Sequence, residues 1–356
     1  MKDSLRHHCS SAILLFFSLA ILSLLDLGCG KPNSLAPEDP SIPGRRDYVW
    51  KVDTLYMPVN PGESIWGSAA GDVWVCGTGG PAGQGMQHFD GRTWKALDVL
   101  VNGFSIFGFS KDDVWMGSND GQILHYDGRE WTLNFDFEVD GTHFVDICDI
   151  WGSRPDDVYA CGFILYKTSA YEPESIKGFV LHYDGNTWKE VCRGDFNSQF
   201  LSVRKSEGKI FVWSFTFQDY NNSDIYYQLT NNGKLEKLFS NSISKIIMGN
   251  NLIMNGKVYF SIGYNFFRYE DGLLVKVLSV DNINYGYCCY GRSERDIIIR
   301  MQDGLAHYNG TDIQYIYHSP SPTMIIIAVP VILEKDVFFL ALDRGKTLVL
   351  HGKLND

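Results

Sequence analysis

The segment His125-Tyr-Asp-Gly-Arg-Glu-Trp131 decides the fold, because close copies of it occur at two other places in the chain. The copies are His88-Phe-Asp-Gly-Arg-Thr-Trp94 and His182-Tyr-Asp-Gly-Asn-Thr-Trp188. Each copy follows an aspartate, a valine and an aromatic residue, at Asp72–Trp74, Asp113–Trp115 and Asp157–Tyr159. A signature that returns every few tens of residues predicts an array of equivalent small sheets.

Residues 104–134 form the best-preserved copy of the repeat. Its pattern predicts four strands, at Phe104–Gly108, Asp113–Gly117, Gln122–Tyr126 and Arg129–Leu133. The pair Asp127-Gly128, between the third and fourth strands, is typical of a two-residue β-hairpin turn. Four antiparallel strands in a segment of this length make one blade of a β-propeller, so the predicted fold class is all-β, a β-propeller.

The same four-strand pattern recurs along the chain and predicts seven blades, although its match to the repeat weakens toward the C-terminus. They span residues 64–97, 104–134, 144–191, 200–239, 243–278, 287–317 and 325–356. The last blade has too few residues for a fourth strand, and Tyr48–Leu55 is predicted to supply it from the N-terminus. This closing strand removes the open sheet edges that favour aggregation. Blades four to seven follow the repeat weakly, so six or eight blades stay open as alternatives.

Recurring histidines and tryptophans are predicted to be structural. One histidine returns at the same repeat position in five blades, as His88, His125, His182, His307 and His351. We expect its imidazole to bond a turn backbone or a neighbouring strand, with a metal or acid–base role as the alternative. One tryptophan returns on the outer strand, as Trp94, Trp131 and Trp188, and is expected to fill the space between blades.

The first 28 residues are predicted to be an export signal. Lys2 and Arg6 give a positive start, and an apolar run from Ala12 to Leu25 is shorter than a membrane-spanning helix needs. The Leu-Gly-Cys29 ending resembles the lipobox of bacterial lipoproteins, although Asp26 stands where that motif usually has leucine. The resemblance implies a lipid on Cys29. An ordinary cleaved signal and a retained anchor are the alternatives.

Three parts of the chain are therefore predicted. Residues 1–28 are the signal, and residues 29–47 are the lipidated cysteine followed by a flexible, proline-rich tether. Residues 48–356 are the propeller domain.

Charge and cysteine usage limit the possible partners. The net charge is −11 and the chain has no basic stripe, which argues against nucleic acid, since phosphate neutralisation supplies most of that affinity. No spacing indicates a zinc site or a calcium loop, so no metal or cofactor is predicted. Cys148 with Cys192 is the one disulfide pair considered, while Cys76 and Cys161 are expected to be buried.

The whole pattern, Ser-x-x-Asp-Val-Trp followed by His-Tyr-Asp-Gly-x-x-Trp, resembles the repeats of β-propellers in secreted and lipid-anchored bacterial proteins. The resemblance is specific over residues 64–191 and weak after them. It implies the architecture and a membrane-anchored location in the cell envelope, periplasmic or at the cell surface, and it carries over no active residues. Asp90–Trp94 matches the Asp-box of sialidase-like propellers only in part, and no arginine triad accompanies it.

The longest predicted loops join second to third strands, on the face that also carries the connections between blades. Long aromatic loops on a rigid scaffold often carry binding functions. The candidate ligand-binding residues in these loops are Tyr166, Tyr171, Glu172, Phe217, Asp219 and Tyr220. Loops that merely tolerate insertions are the alternative.

Two classes of function follow from these features. The first is a lipid-anchored binding or scaffold module that recognises a protein or a glycan through the loop face. It is favoured, because the sequence shows no convergent titratable motif. The second is an envelope glycan hydrolase or lyase that uses a carboxylate pair on the same face, such as Asp219 and Glu172, held roughly 5–10 Å apart. The sequence leaves enzymatic activity undecided.

Overall fold

The computed structural model describes residues 42–57, 62–77, 85–97, 99, 102–166, 175–216, 222–243 and 250–356. These residues contain seven antiparallel sheets of four strands each. The first strands of successive sheets contact one another in chain order, and the first strand of the last sheet contacts that of the first. The chain is therefore a closed, seven-bladed β-propeller, as the repeat predicted.

The first three blades contain the regular repeats. Blade one contains β2 (Gly62–Ala69), β3 (Asp72–Gly77), β4 (Met86–Phe89) and β5 (Trp94–Leu97). Blade two contains β6 (Gly103–Ser110), β7 (Asp113–Ser118), β8 (Gln122–Tyr126) and β9 (Trp131–Asp136). Blade three contains β10 (Thr142–Arg154), β11 (Asp157–Tyr166), β12 (Ser175–Tyr183) and β13 (Trp188–Phe196).

The remaining blades follow the same order. Blade four contains β14 (Ser198–Ser206), β15 (Lys209–Thr216), β16 (Asn222–Leu229) and β17 (Leu235–Ile243). Blade five contains β18 (Asn250–Met254), β19 (Lys257–Ile262), β20 (Asn265–Glu270) and β21 (Leu273–Ser279). Blade six contains β22 (Tyr285–Ser293), β23 (Asp296–Met301), β24 (Gly304–Tyr308) and β25 (Ile313–His318). Blade seven contains β26 (Ile325–Ile332), β27 (Asp336–Asp343), β28 (Lys346–Leu354) and the N-terminal β1 (Tyr48–Leu55).

The closing strand is confirmed, with its register. β1 pairs antiparallel with β28, and Trp50 lies opposite Gly352, the residue after His351. Trp94 likewise lies opposite the residue after His88, so Trp50 occupies the outer-strand tryptophan position. Its indole N–H donates to the carbonyl of Ile316 in blade six at 2.7 Å, and this bond ties the closing strand to the preceding blade.

The apolar core lies between neighbouring blades, because alternate residues of each strand point to opposite faces of its sheet. In β3, Val73 and Val75 pack toward blade seven, whereas Trp74 and Cys76 pack toward blade two. Cys76 and Cys161 are buried, as expected. The six described cysteines are all free, so the Cys148–Cys192 disulfide is not formed. No described segment forms a helix of the length and apolarity that crossing a bilayer requires.

Local predictions failed in two ways. The Asp127-Gly128 turn is not a two-residue hairpin, because Tyr126 pairs with Trp131 and four residues separate the strands. The aspartate accepts hydrogen bonds from two following backbone N–H groups, which stabilises the longer turn. The repeat pattern also predicts an insertion at residues 163–178 of blade three. This insertion is too long, since strand pairing continues to Tyr166 and Ser175.

The ring has two different faces. The loop face carries the connections between second and third strands and those between blades. The turn face carries the connections between first and second strands and between third and fourth strands. Residues 42–47 reach the closing strand across the turn face of blade six, where the backbone N–H of Gly44 donates to the carbonyl of Arg295 at 2.8 Å.

Candidate functional site

The sequence-predicted ligand residues are mostly outside the described part of the chain. Tyr171, Glu172, Phe217, Asp219 and Tyr220 lie there, as does Cys29. Tyr166 is described, but it ends strand β11 instead of lying in a loop. Its hydroxyl accepts a hydrogen bond from Arg193 at 2.7 Å, and the ammonium of Lys177 lies 5.7 Å from its ring centre. Tyr166 therefore belongs to a polar cluster at the outer part of blade three.

The recurring histidine pairs with the aspartate that begins the second strand of its blade. In blade one, Nε2 of His88 lies 2.7 Å from Oδ1 of Asp72, and its ring stacks on Trp74 at 3.9 Å between centres. The same pair forms in four more blades, as Asp113–His125, Asp157–His182, Asp296–His307 and Asp336–His351. The partner is a carboxylate on the neighbouring strand and not the turn backbone.

Blade one shows how many donors this aspartate satisfies. Asp72 accepts from the Trp74 indole at 3.0 Å and from the Ser68 hydroxyl, besides the bond from His88. Burial acts to raise the pKa of Asp72, but the hydrogen bonds from His88 and Ser68 outweigh it and hold the pKa below its usual range. Asp72 is thus an ionised acceptor on the turn face that holds three side chains of its own blade. We call such an aspartate, together with its histidine, an Asp–His hub.

Blades four and five replace this hub with basic residues. Lys209 and Lys257 stand at the aspartate position, because each begins the second strand of its blade. Arg268, opposite Tyr259, stands at the histidine position of blade five. It forms ion pairs with Glu270 in its own blade and Glu294 in blade six, so the charges now connect neighbouring blades.

On the loop face, blades five and six present a surface that we call the tyrosine patch: Tyr264, Ile283 and Tyr287. The rings of Tyr264 and Tyr287 pack against the buried ring of Tyr285. Tyr264 lies in the turn between β19 and β20, and Ile283 lies in the connection between the two blades. Tyr264 is 50% exposed and Ile283 is 90% exposed. The hydroxyl groups of Tyr264 and Tyr287 are 3.3 Å apart, and their ring centres are 5.5 Å apart.

The patch is supported by a bulge in β22. Tyr287 has a φ of 63°, a left-handed conformation that costs roughly 1–3 kcal/mol in a bulky residue and is concentrated at functional sites. Arg300 donates from Nε and Nη2 to the carbonyl of Gly286 at 3.0 and 2.5 Å and so fixes the bulge. A side chain at Gly286 would contact the Arg300 carbonyl at 2.9 Å, which explains the glycine.

Three carboxylates from three blades converge at the inner end of the loop face, and we call them the acidic mouth: Glu63, Asp120 and Asp146. Burial, with Asp120 and then Glu63 nearby, raises the pKa of Asp146 to about 7. Burial also raises the pKa of Glu63. Asp146 is only 9% exposed.

The acidic mouth differs from the Asp–His hubs in having no donor. None of its three carboxylates accepts a hydrogen bond or forms an ion pair in the part of the chain that the structure describes. The described residues also contain no group of three ligating side chains close enough to hold a metal ion. The described part of the chain thus supplies neither a cation nor a hydrogen-bond donor to these three carboxyl groups.

The sequence pattern missed both loop-face features. Tyr264, Tyr285 and Tyr287 belong to the degenerate blades, where no repeat signature marks their strand positions. The acidic mouth joins residues that are 26 or more positions apart in sequence, taken from Glu63, Asp120 and Asp146. Only Asp146 carried a local signal, as a charged residue inside the apolar stretch of a predicted first strand.

Similarity to solved structures supports the fold. The chain is similar to YCF48 bound to D1 peptide, with a TM-score of 0.57, 13% identity, and coverage of 89% of this chain and 100% of that one. It is also similar to the WD40 β-propeller domain of Doa1, with a TM-score of 0.52, 11% identity, and coverage of 87% and 98%. A third likeness is to the extracellular domain of a hybrid two-component system of B. thetaiotaomicron, with a TM-score of 0.50, 15% identity, and coverage of 84% and 39%.

Identities this low show the fold alone. No protein-family model matches the sequence, and no curated protein sequence is significantly similar to it. The class that the fold defines is the seven-bladed β-propeller.

Proposed function

We propose that this protein is a binding module of the cell envelope that recognises a partner protein through its loop face. The observation that carries the proposal is the tyrosine patch, an exposed aromatic surface held in place by a strained bulge. Tyrosine is enriched at protein-binding hot spots, because it offers a large, rigid contact area and a polar hydroxyl. One of the similar propellers, YCF48, has been solved with a bound peptide, and this supports the same kind of use here.

Site-specific photocrosslinking in the native host tests this proposal. A photoreactive phenylalanine analogue replaces Tyr264 on the loop face, and in a matched variant it replaces the exposed Thr187 in a turn of blade three on the turn face. We expect a discrete protein adduct from the Tyr264 position only. An adduct from position 187 alone, or no protein adduct from position 264, would contradict the proposal.

We propose further that Cys29 carries a lipid that anchors the protein to a membrane, with the loop face pointing away from it. The approach of residues 42–47 across the turn face supports this orientation, since the tether would then leave on the membrane side. Metabolic labelling with a fatty acid should mark the wild-type protein and not Cys29→Ser. A bulky label at Ile283 that the bilayer shields from a soluble quencher would contradict the orientation.

Glycan hydrolysis is a second candidate function, and the acidic mouth favours it. A buried carboxyl group with a pKa near 7 close to other carboxyl groups resembles the carboxyl pairs that glycosidases use as acid and base. Release of reducing ends from envelope glycans would support hydrolysis if Asp146→Asn abolishes it and Asp140→Asn, at an exposed carboxylate on the same face, does not. No release by the wild-type protein would exclude this function.

A further inference from the structure

We propose that residues 42–47, which we call the strap, are held on blade six by neutral His307 and are released when this imidazole takes a second proton. The strap leads from the predicted tether into the closing strand β1, so its release changes how the propeller is connected to the preceding chain. This inference goes beyond the proposed binding function and does not depend on it.

The strap lies directly on the Asp–His hub of blade six. Arg46 donates from Nη2 to the carbonyls of His307 and Asp312 at 3.1 and 2.5 Å, and to Oδ1 of Asp312 at 3.0 Å. The side chain of His307 is fully buried, whereas the hub histidines of the other four blades keep between 18% and 28% of their side-chain surface exposed. The cover is therefore a particular feature of blade six among these hubs.

The contacts of His307 fix its protonation state while the strap is in place. Its Nε2 lies 2.7 Å from Oδ1 of Asp296, and its Nδ1 lies 3.2 Å from Nε of Arg46. Burial acts to raise the pKa of Asp296, but the hydrogen bond from His307 and the charge of Arg292 outweigh it and hold the pKa below its usual range. An ionised carboxylate only accepts and a guanidinium only donates, so Nε2 carries the ring proton and Nδ1 carries a lone pair. The imidazole is therefore neutral.

A second proton on His307 would remove this arrangement. It would bind to Nδ1 and so convert the acceptor of the Arg46 bond into a donor. Two N–H groups would then point at each other, and two positive charges would lie in contact in a buried place. The bonds from Arg46 to Asp312 and to the two carbonyls would remain, so protonation weakens the strap without abolishing every contact.

The charges around the imidazole favour this outcome. They come from the strap, from β22 and β23 with the turn between them, from the turn after β24, and from β1: Arg46, Arg292, Arg295, Asp296, Asp312 and the Tyr48 hydroxyl. With a neutral imidazole, these groups carry three positive charges and two negative ones. A charged imidazole would add a fourth positive charge, whereas departure of Arg46 would remove one. The strap and the second proton therefore oppose each other.

The direction of the pH dependence follows from this opposition. The closed strap holds fewer protons than the open one, so closure is favoured at high pH and lost as the pH falls. Histidine side chains change charge between about pH 5 and pH 8. Below the transition, each pH unit should lower the ratio of closed to open strap by up to about tenfold. Aspartates such as Asp312 titrate well below this range.

Gly44 supplies a means of opening the strap without changing any titrating group. Its N–H donates to the carbonyl of Arg295 at 2.8 Å. A Cβ at this position would lie 2.5 Å from Oδ1 of Asp296. That carboxylate cannot easily move aside, because Arg292 and His307 both hold it. Gly44→Ala should therefore displace the strap at every pH.

Opening also has a consequence for the proposed lipid anchor. Six released residues in extended geometry would lengthen the connection between the membrane and the propeller by up to roughly 19 Å. This consequence rests on lipidation at Cys29, whereas the closure of the strap can be measured without it.

The experiment is hydrogen exchange of the full-length protein, measured by mass spectrometry at about pH 7.5 and about pH 5 and corrected for intrinsic exchange rates. The readout is the protection of the Gly44 amide. His307→Gln is the test variant, because an amide side chain can donate to Asp296 and accept from Arg46 but does not titrate. His88→Gln makes the same change in the hub of blade one and is the matched control.

We expect protection of Gly44 in the wild-type protein to fall about tenfold or more between the two pH values. His88→Gln should behave as the wild type does, and His307→Gln should stay protected at both pH values. In Gly44→Ala the strap segment should exchange rapidly at both. Equal protection of the wild-type protein at the two pH values would overturn the inference. The same fall in a His307→Gln variant that is protected at pH 7.5 would assign the pH dependence to another group.

A second measurement keeps the test decisive if the glutamine does not hold the strap. Nitrogen-15 NMR of histidine-labelled wild-type protein reports the protonation of Nδ1 of His307 directly. Its midpoint should coincide with the loss of Gly44 protection. A strap that opens while His307 stays neutral, or one that stays closed over a charged His307, would contradict the proposal.

Discussion

Blades one to three and blades four and five reach the same four-stranded geometry through different side-chain chemistry. In the regular blades an aspartate at the start of the second strand accepts bonds from residues of its own blade, as Asp72 does from His88 and Trp74. In blade five, Lys257 and Arg268 stand at those positions, and Arg268 pairs with Glu294 of the next blade. The position therefore requires satisfied polar groups, and it does not require particular residues.

Removing one polar residue from each kind of blade is expected to give the largest difference. Asp72→Ala leaves the His88 imidazole and the buried Trp74 indole without their acceptor, at a cost of about 3 kcal/mol in the free energy of unfolding. Lys257→Ala breaks a partly exposed ion pair and should cost about 0.5 kcal/mol. Urea denaturation of the two variants checks this, and equal losses would contradict the comparison.

Blades one to three could be predicted from the sequence because the residues that define each blade lie close together in the chain. Each Asp-Val-aromatic triplet and each His-x-Asp-Gly signature lies within one blade, so spacing alone gives the strand order. The sequence could also place β1, because Trp50 carries the outer-strand signal. It could not find the acidic mouth, since Glu63, Asp120 and Asp146 meet only when three blades close around the same axis.

The sequence and the structure both draw attention to the loop face, but to different residues. Loop length pointed to blades three and four, and the described part of that prediction, Tyr166, is held by Arg193 in an outer cluster. The tyrosine patch depends on a bulge that only the structure reveals, since β22 shifts register between Tyr285 and Cys289.

Two aspartates of blade three should respond to pH in opposite directions. Burial acts to raise the pKa of Asp157, but bonds from Lys205 and Ser153 outweigh it and lower the pKa to about 2. Its contribution to stability is present above about pH 4 and lost as the pH falls toward 2. Asp146, with a pKa of about 7, favours folding below about pH 4 and loses that contribution as the pH rises through 7.

Asp146→Asn should therefore raise the free energy of unfolding at pH 8 by about 2 kcal/mol and leave it nearly unchanged at pH 4. The reason is that asparagine fills the same volume without a buried charge. Urea titrations at the two pH values measure the effect. A destabilised variant at pH 8 would mean that the Asp146 carboxylate has a partner that stabilises its charge.

Blade six allows a further comparison with blade one, because the N-terminal segment covers the Asp–His hub of blade six. Arg46 donates from Nε to Nδ1 of His307 at 3.2 Å, and His307 is fully buried, whereas His88 is partly exposed. Arg46→Ala should cost about 1 kcal/mol and make His307 reactive toward diethylpyrocarbonate. Mass spectrometry of the modified peptides checks this, with His88 as the internal control that should not change.

The smallest expected difference concerns two outer-strand tryptophans. The indole of Trp188 donates to the side chain of Asn134 in the preceding blade at 3.0 Å, whereas the buried indole nitrogen of Trp131 has no partner among the described residues. Trp188→Phe should cost about 1 kcal/mol more than Trp131→Phe, because only the former loses a hydrogen bond. Thermal unfolding of both variants measures the difference, and a larger loss at position 131 would contradict the assignment.

Ring closure by the N-terminal strand is tested most directly by a disulfide across β1 and β28. Val49 and Lys353 are exposed register partners, so the double variant Val49→Cys, Lys353→Cys should form an intramolecular disulfide on mild oxidation. A control with Val49→Cys and Leu133→Cys, on the exposed outer strand of blade two, should not. Quantitative crosslinking of the first variant is the result we expect. Crosslinking only between separate molecules, or equal crosslinking of the control, would contradict the closed ring.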